Sequence, residues 1–211
     1  MQRGLVCRAD GRTSPGTDAV GRRDAAGHAG APPPEDYSIE NYARLTVELA
    51  RKVGADVVVG FSIGASVALE MVTSGGFDGP VVLLGVSLSA KDEPAFFHAI
   101  VRLGSVLGSL PAAVMTKGAA SMVQRIPVSA ERQRELREDL CKNVSQHIRH
   151  ALAEYARWLH RDELRARRLC QAGVPTWIVH AEKGDGGLTD SERRTLRACS
   201  NVHLVTIPGK V

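Results

Sequence analysis

The sequence predicts an α/β fold, a mostly parallel, doubly wound sheet interrupted by an inserted all-helical segment. Three observations predict it. First, Asp56-Val57-Val58-Val59-Gly60 and Pro80-Val81-Val82-Leu83-Leu84-Gly85-Val86 are apolar without alternation, as strands covered on both faces are. Second, Ile63 to Ser74 between them reads as a helix, and strand, sharp turn, helix, strand is the unit from which parallel sheets are wound. Third, strand patterns vanish from about residue 91 to 165 and return afterwards, so the sheet resumes after an insertion.

The elements follow in chain order. Residues 1–35 are rich in Gly, Arg, Asp, Ala and Pro and end in Ala31-Pro32-Pro33-Pro34; only Gly4-Leu5-Val6-Cys7 could pass for a short strand, and the stretch reads as irregular. Order begins at Ser38, a helix cap, with Tyr42, Leu45, Leu49 and Val53 at helical spacing and Gly54 after the end. The strand at 56–60, the helix from Ile63 and the strand at 80–86 complete the first half of the core, residues 36–90. Residues 91–165 carry four helical patterns: Phe96 to Leu107, Pro111 to Gln124, Ala130 to Cys141 and Val144 to His160. The second half of the core, 166–211, holds a strand at Val174 to His180, a helix from Asp190 to Cys199 and a last strand at Val202 to Ile207.

Composition narrows the function. The net charge is +4 over 211 residues, but arginines and acids alternate, as in Arg132, Arg134, Glu135, Arg137, Glu138 and Asp139, which describes a solvated helix face and not a phosphate-tracking groove. Aromatic residues are 4%, too few to stack bases, so no nucleic-acid partner is expected. No apolar run reaches the ~18 residues of a membrane span, and Met1-Gln2-Arg3-Gly4 does not begin a secretory signal; the expectation is a cytoplasmic protein with no membrane partner. Cys7, Cys141, Cys170 and Cys199 are scattered, without zinc spacing or an evident disulfide framework. No metal or cofactor is expected.

The chemistry concentrates in Gly60-Phe61-Ser62-Ile63-Gly64, a G-x-S-x-G pattern with a buried strand before it and a helix of small residues after it. So tight a turn strains the serine backbone and leaves no room for side chains two positions away, hence the glycines. The strain lifts the Ser62 hydroxyl above the sheet edge as a nucleophile. The flanking Phe61 and Ile63 are the candidate oxyanion and substrate-binding residues, Ile63 through its N–H at the helix start. A dinucleotide site is the weaker reading, because G-x-G-x-x-G is absent and no acid closes the next strand.

From about residue 36 onward the chain resembles the α/β-hydrolase superfamily, in its lidded, epoxide-hydrolase and haloperoxidase-like branch. The order agrees: elbow strand, next strand, helical lid, strand, acid, helix, last strand. The resemblance implies a triad acid after the strand that follows the lid, in His180-Ala181-Glu182-Lys183-Gly184-Asp185-Gly186. Asp185 is the candidate, with Glu182 the alternative; its role would be to orient an imidazole and stabilise its charged form.

The resemblance also implies departures. The family's base histidine follows the last strand in a P-G-x-G-H turn, whereas this sequence ends Ile207-Pro208-Gly209-Lys210-Val211, so that histidine would lie one or two residues further on. The early His-Gly oxyanion loop has no counterpart; Asp24-Ala25-Ala26-Gly27-His28-Ala29-Gly30 resembles a later family loop. The chain is therefore expected to be a member shortened at both ends, impaired as it stands, with an uncovered sheet edge that predicts self-association into a homo-oligomer. Lid residues Phe96, Phe97, Leu103, Val106, Leu107, Leu110, Val114, Met115 and Met122 are read first as the lid's own core and second as an apolar substrate pocket. The expected function is hydrolysis of an ester-like small molecule by Ser62; the alternative is a catalytically silent relative that binds a small molecule or a partner. A dehalogenase is disfavoured, since Ser62 stands where that branch usually carries Asp.

Overall fold

The unbroken apolar runs form the centre of the sheet in the computed structural model, which describes residues 5–7, 20–22, 32–111, 114, 123, 128–183 and 187–210. The elements are β1 (Leu5–Cys7), β2 (Val20–Arg22), α1 (Ile39–Val53), β3 (Val57–Phe61), α2 (Ile63–Thr73), β4 (Val81–Leu84), a 3-10 turn (Ala90–Asp92) and α3 (Ala95–Leu107). After them come α4 (Ala130–Cys141), α5 (Ser145–Arg161), α6 (Arg165–Ala172), β5 (Thr176–Lys183), α7 (Asp190–Arg197) and β6 (Val202–Lys210). The sheet order is β2-β1-β3-β4-β5-β6. From β3 to β6 all pairings are parallel, as the repeated strand–helix alternation requires.

Within β3 and β4 burial alternates: Val58, Val81 and Leu83 are fully covered, whereas Val57, Val59, Val82 and Leu84 are half-covered. The sheet thus has one dry face and one thinly roofed face, where two equally buried faces were expected. Ser38 caps α1 by accepting from the N–H of Asn41 (3.2 Å), and Gly54 ends it in the left-handed conformation. The buried stripe of α1 is Ile39, Ala43, Val47 and Ala50 with Tyr42; Leu45, Leu49 and Val53 lie at its margin.

Three expectations need correction. Residues 1–35 are not irregular throughout, because β1 and β2 lie within them, with β1 antiparallel to both β2 and β3. Strands of three residues are too short to show a period, and their pairing comes from the neighbouring strand. The edge of β3 is therefore covered by β1, and the open edge on that side of the sheet is β2. The last strand does not stop at Ile207 but runs through Pro208 to Lys210, beside Lys183 of β5; proline is tolerated because β6 is an edge strand.

The insertion also differs. The helical pattern from Pro111 to Gln124 falls largely outside the described residues, with Met115 and Met122 in it. Phe97 is buried as a core residue should be, but Phe96, Leu103, Val106, Leu107, Leu110 and Val114 are exposed; helical spacing marks a common face without saying what lies against it. One helix, α6, was not anticipated. Its Arg165 is buried, and its guanidinium carbon sits 3.6 Å from the Trp158 ring centroid. It donates to the carbonyls of Leu88 (2.9 Å), Asp162 (2.5 Å) and Trp158. Through Arg165, α6 thus ties the end of α5 to the turn after β4.

Cys170 on α6 and Cys199 after α7 form a disulfide, with Cα atoms 5.5 Å apart and a separation of 29 positions in sequence. The packing of α6 on α7, not any spacing rule, brings them together. No described helix is long and apolar enough to cross a membrane.

Candidate active site

The turn between β3 and α2 contains no spare residue: Phe61 ends the strand, Ile63 starts the helix, and Ser62 alone connects them. Ser62 has φ 55° and ψ −126°, and among the described residues it is the one non-glycine with positive φ. Both sides of its backbone enforce this. Its N–H donates to the carbonyl of Leu84 on β4 (2.9 Å), and its own carbonyl accepts from Ala65 (2.8 Å) and Ser66 (3.3 Å). A conformation of this kind costs roughly 1–3 kcal/mol and persists only where the surroundings over-determine it.

Gly60 is required by contact, not by its dihedrals. A Cβ there would press on the carbonyl of Gly64 and lie 2.6 Å from the Cα of Ala65, both main-chain atoms that cannot swing aside. Gly60→Ala is expected to cost about 2–3 kcal/mol, measured by urea denaturation; a cost below the uncertainty of the fit would show that the turn relaxes.

The Ser62 hydroxyl makes no capping bond to α2. The residue opens instead on a cleft of about 270 Å³ at the carboxyl ends of β3, β4 and β5, whose lining includes Asp92, Glu93, Phe96, His180 and Arg193. As the first residue of α2, Ile63 has an N–H without an intrahelical acceptor. Its side chain packs on the core. Phe61 is half-exposed, and the side chains of neither Phe61 nor Ile63 are among the cleft lining. Asp185 lies outside the described residues; the nearby Gly187 and Leu188 line the cleft. Glu182 is exposed on β5.

Two carboxylates of the cleft were missed by sequence reasoning. Asp92 is buried, its Oδ2 accepting from the N–H groups of Leu88 (2.7 Å) and Ser89 (2.9 Å) and its Oδ1 from Thr189 (3.1 Å). Its own carbonyl accepts from Gly187 (3.0 Å). Asp92 therefore ties the loop after β5 to the turn after β4. Glu93 accepts from the Tyr155 hydroxyl (2.5 Å), which joins the cleft to α5. The Ser89-x-x-Asp92 spacing of a capping box was the available signal.

Burial and the neighbouring Glu192 carboxyl push the Asp92 carboxyl up to about 7. Between its ordinary value and 7 the folded chain holds a proton that the unfolded chain has released, so stability falls as pH rises through that window and levels off above it. Asp92→Asn is expected to remove this part of the slope, on the order of 3 kcal/mol from pH 4 to 7. The check is the difference between wild-type and variant denaturation midpoints at each pH; parallel curves would contradict it.

His180 is the one histidine lining the cleft among the described residues. Arg193 Nη1 lies 2.9 Å and Thr206 Oγ1 3.0 Å from its Nε2. An arginine can only donate, so Nε2 is the acceptor and Nδ1 carries the proton. Burial, Arg193 and Arg197 lower the His180 pKa. In this arrangement its lone pair is spent, and it is not poised to take a proton from Ser62. No group of three or more His, Cys, Asp or Glu able to hold a metal occurs among the described residues.

The model of a family described as "Alpha/beta hydrolase family" matches residues 24–210. No curated protein sequence matches the chain. Solved structures do. A bromoperoxidase from Bacillus anthracis aligns with TM-score 0.64 at 17% identity over 89% of this chain and 72% of its own. A hydrolase from Pseudomonas aeruginosa aligns with TM-score 0.63 at 17% identity over 90% and 71%. An esterase from Exiguobacterium antarcticum aligns with TM-score 0.61 at 18% identity over 89% and 71%. At such identities the likeness is one of fold.

Proposed function

The chain belongs to the alpha/beta hydrolase family, and we propose that it is a serine hydrolase which cleaves an ester-like small molecule by nucleophilic attack of Ser62. The observation that carries this reading is the forced conformation of Ser62, a residue that lines a cleft and whose side chain does not cap its helix. Strain at a residue with nothing structural to gain from it marks a functional position.

In the proposed reaction, Ser62 Oγ adds to the ester carbonyl carbon while its proton passes to a base. The Ile63 N–H donates to the developing oxyanion. The C–O bond to the alcohol then breaks, the alcohol taking up the proton, and water releases the acid from the acyl-serine. Asp185 is the proposed acid that orients the base. His180 is not proposed as that base, because Arg193 and Thr206 occupy its Nε2. That occupancy supports the second reading, a silent relative that binds a small molecule in the same cleft.

An alkyl fluorophosphonate separates the two readings, since it labels only an activated serine. The proposal expects a phosphonylated Ser62 peptide by mass spectrometry, together with p-nitrophenyl ester turnover. Both are measured on this chain and on a version extended through its reading frame at both ends. Absence of label and turnover in both forms would leave the binding reading standing. As to compartment, the Cys170–Cys199 pair favours an oxidising one over the cytoplasm expected from sequence; thiol alkylation of protein taken directly from cells tests that.

A further inference from the structure

Between α3 and α5 runs a groove of about 680 Å³ that shares no lining residue with the Ser62 cleft. Its polar lining is cationic or imidazole: Arg102, Arg149 and Arg157 with His98, His150 and His160, and no described carboxylate lines it. Most of these groups are already engaged, Arg102 among them, and the rings of His150 and His160 pack on Tyr37 and His98. Arg157 pairs with Glu154 (2.5 Å), and His98 Nε2 meets the carbonyl of Ala90 (3.0 Å).

Arg149 is different. Its stem crosses α3 beside Gly104, where an added Cβ would lie 3.8 Å from its Cγ. Its Nη2 is 3.5 Å from His150 Nε2, its Nε is buried without an acceptor, and no described carboxylate pairs with it. Holding a guanidinium half out of water without an anion is costly. The floor beside it is apolar, formed by Val101, Leu152 and Ala156.

We propose that this groove binds an amphiphilic carboxylate, with the carboxylate on Arg149 and the alkyl part along Val101, Leu152 and Ala156. A guanidinium edge offers two parallel N–H donors, which a carboxylate accepts in bidentate fashion. The size of the groove is that of a small-molecule site, far more room than an inorganic anion fills, and the apolar floor gives a hydrocarbon chain a reason to enter. The site does not depend on Ser62 chemistry.

The test is calorimetric titration of the whole chain with sodium octanoate, beside 1-octanol and inorganic phosphate. Octanoate is expected to bind wild type and Ser62→Ala equally. Octanol and phosphate each lack one half of the ligand and are expected to bind at least about tenfold more weakly. Arg149→Gln is expected to weaken octanoate at least about tenfold. Because Arg149 also packs on α3, a second variant, Ala153→Glu, places a carboxylate one helical turn from it; it is expected to abolish octanoate binding while the thermal midpoint holds. Octanoate binding unchanged in Arg149→Gln or in Ala153→Glu, phosphate binding as tightly as octanoate, or no octanoate binding at all would each overturn the proposal.

Discussion

Ser62→Gly is expected to make the protein more stable and inactive at once. Ser62 sits at φ 55°, where a Cβ is penalised by roughly 1–2 kcal/mol and glycine is not. Against that gain stands the extra freedom glycine gives the unfolded chain, about 0.4–1 kcal/mol. The net expectation is a stabilisation of up to about 1 kcal/mol. Ser62→Ala keeps the Cβ and should gain none of it. Both variants lose the nucleophile, so turnover in the form that hydrolyses esters should fall by about 10⁴-fold or more, and fluorophosphonate labelling at this position should disappear. The paired measurement is urea denaturation beside ester turnover. If glycine is no more stable than alanine, the backbone at Ser62 is not strained; if either variant keeps its turnover, Ser62 is not the nucleophile.

The contrast between legible and illegible features follows from how far apart the responsible residues lie. The turn was legible because its geometry is local. Gly60 and Gly64 bracket Ser62, and the clash that excludes a side chain at Gly60 is with Gly64 and Ala65 themselves. The parallel core was legible for the same reason, since each strand and helix carries its own period. Asp92 was not, because its partner Thr189 is 97 residues away, and a single acid after a strand looks like any turn residue until the second loop closes on it. The exposed face of α3 was not, because Phe96, Leu103 and Leu107 keep helical spacing whether water or protein covers them. Nor was the engagement of His180, where Arg193 and Thr206 meet a histidine from two different elements.

Reduction of the Cys170–Cys199 disulfide is expected to cost about 3–4 kcal/mol, the closure entropy of a loop of this length. The bond joins α6 to the end of α7 across a junction that is also hydrogen-bonded. Asn201 Nδ2 donates to the carbonyls of Leu169 and Val174 (3.1 Å each), and the Thr176 N–H donates to the Asn201 carbonyl (2.8 Å). Those bonds hold the start of β5 in register without the disulfide, so the folded cleft should survive reduction. The expected pattern is a lower urea midpoint in dithiothreitol with Ser62 labelling unchanged at low denaturant. Cys199→Ser should reproduce the reduced midpoint and no longer respond to dithiothreitol. Cys141, free and exposed, serves as the control: Cys141→Ser should leave both midpoints where they were. A wild-type midpoint indifferent to dithiothreitol would mean that the bridge adds nothing to the register that Asn201 and Thr176 already hold.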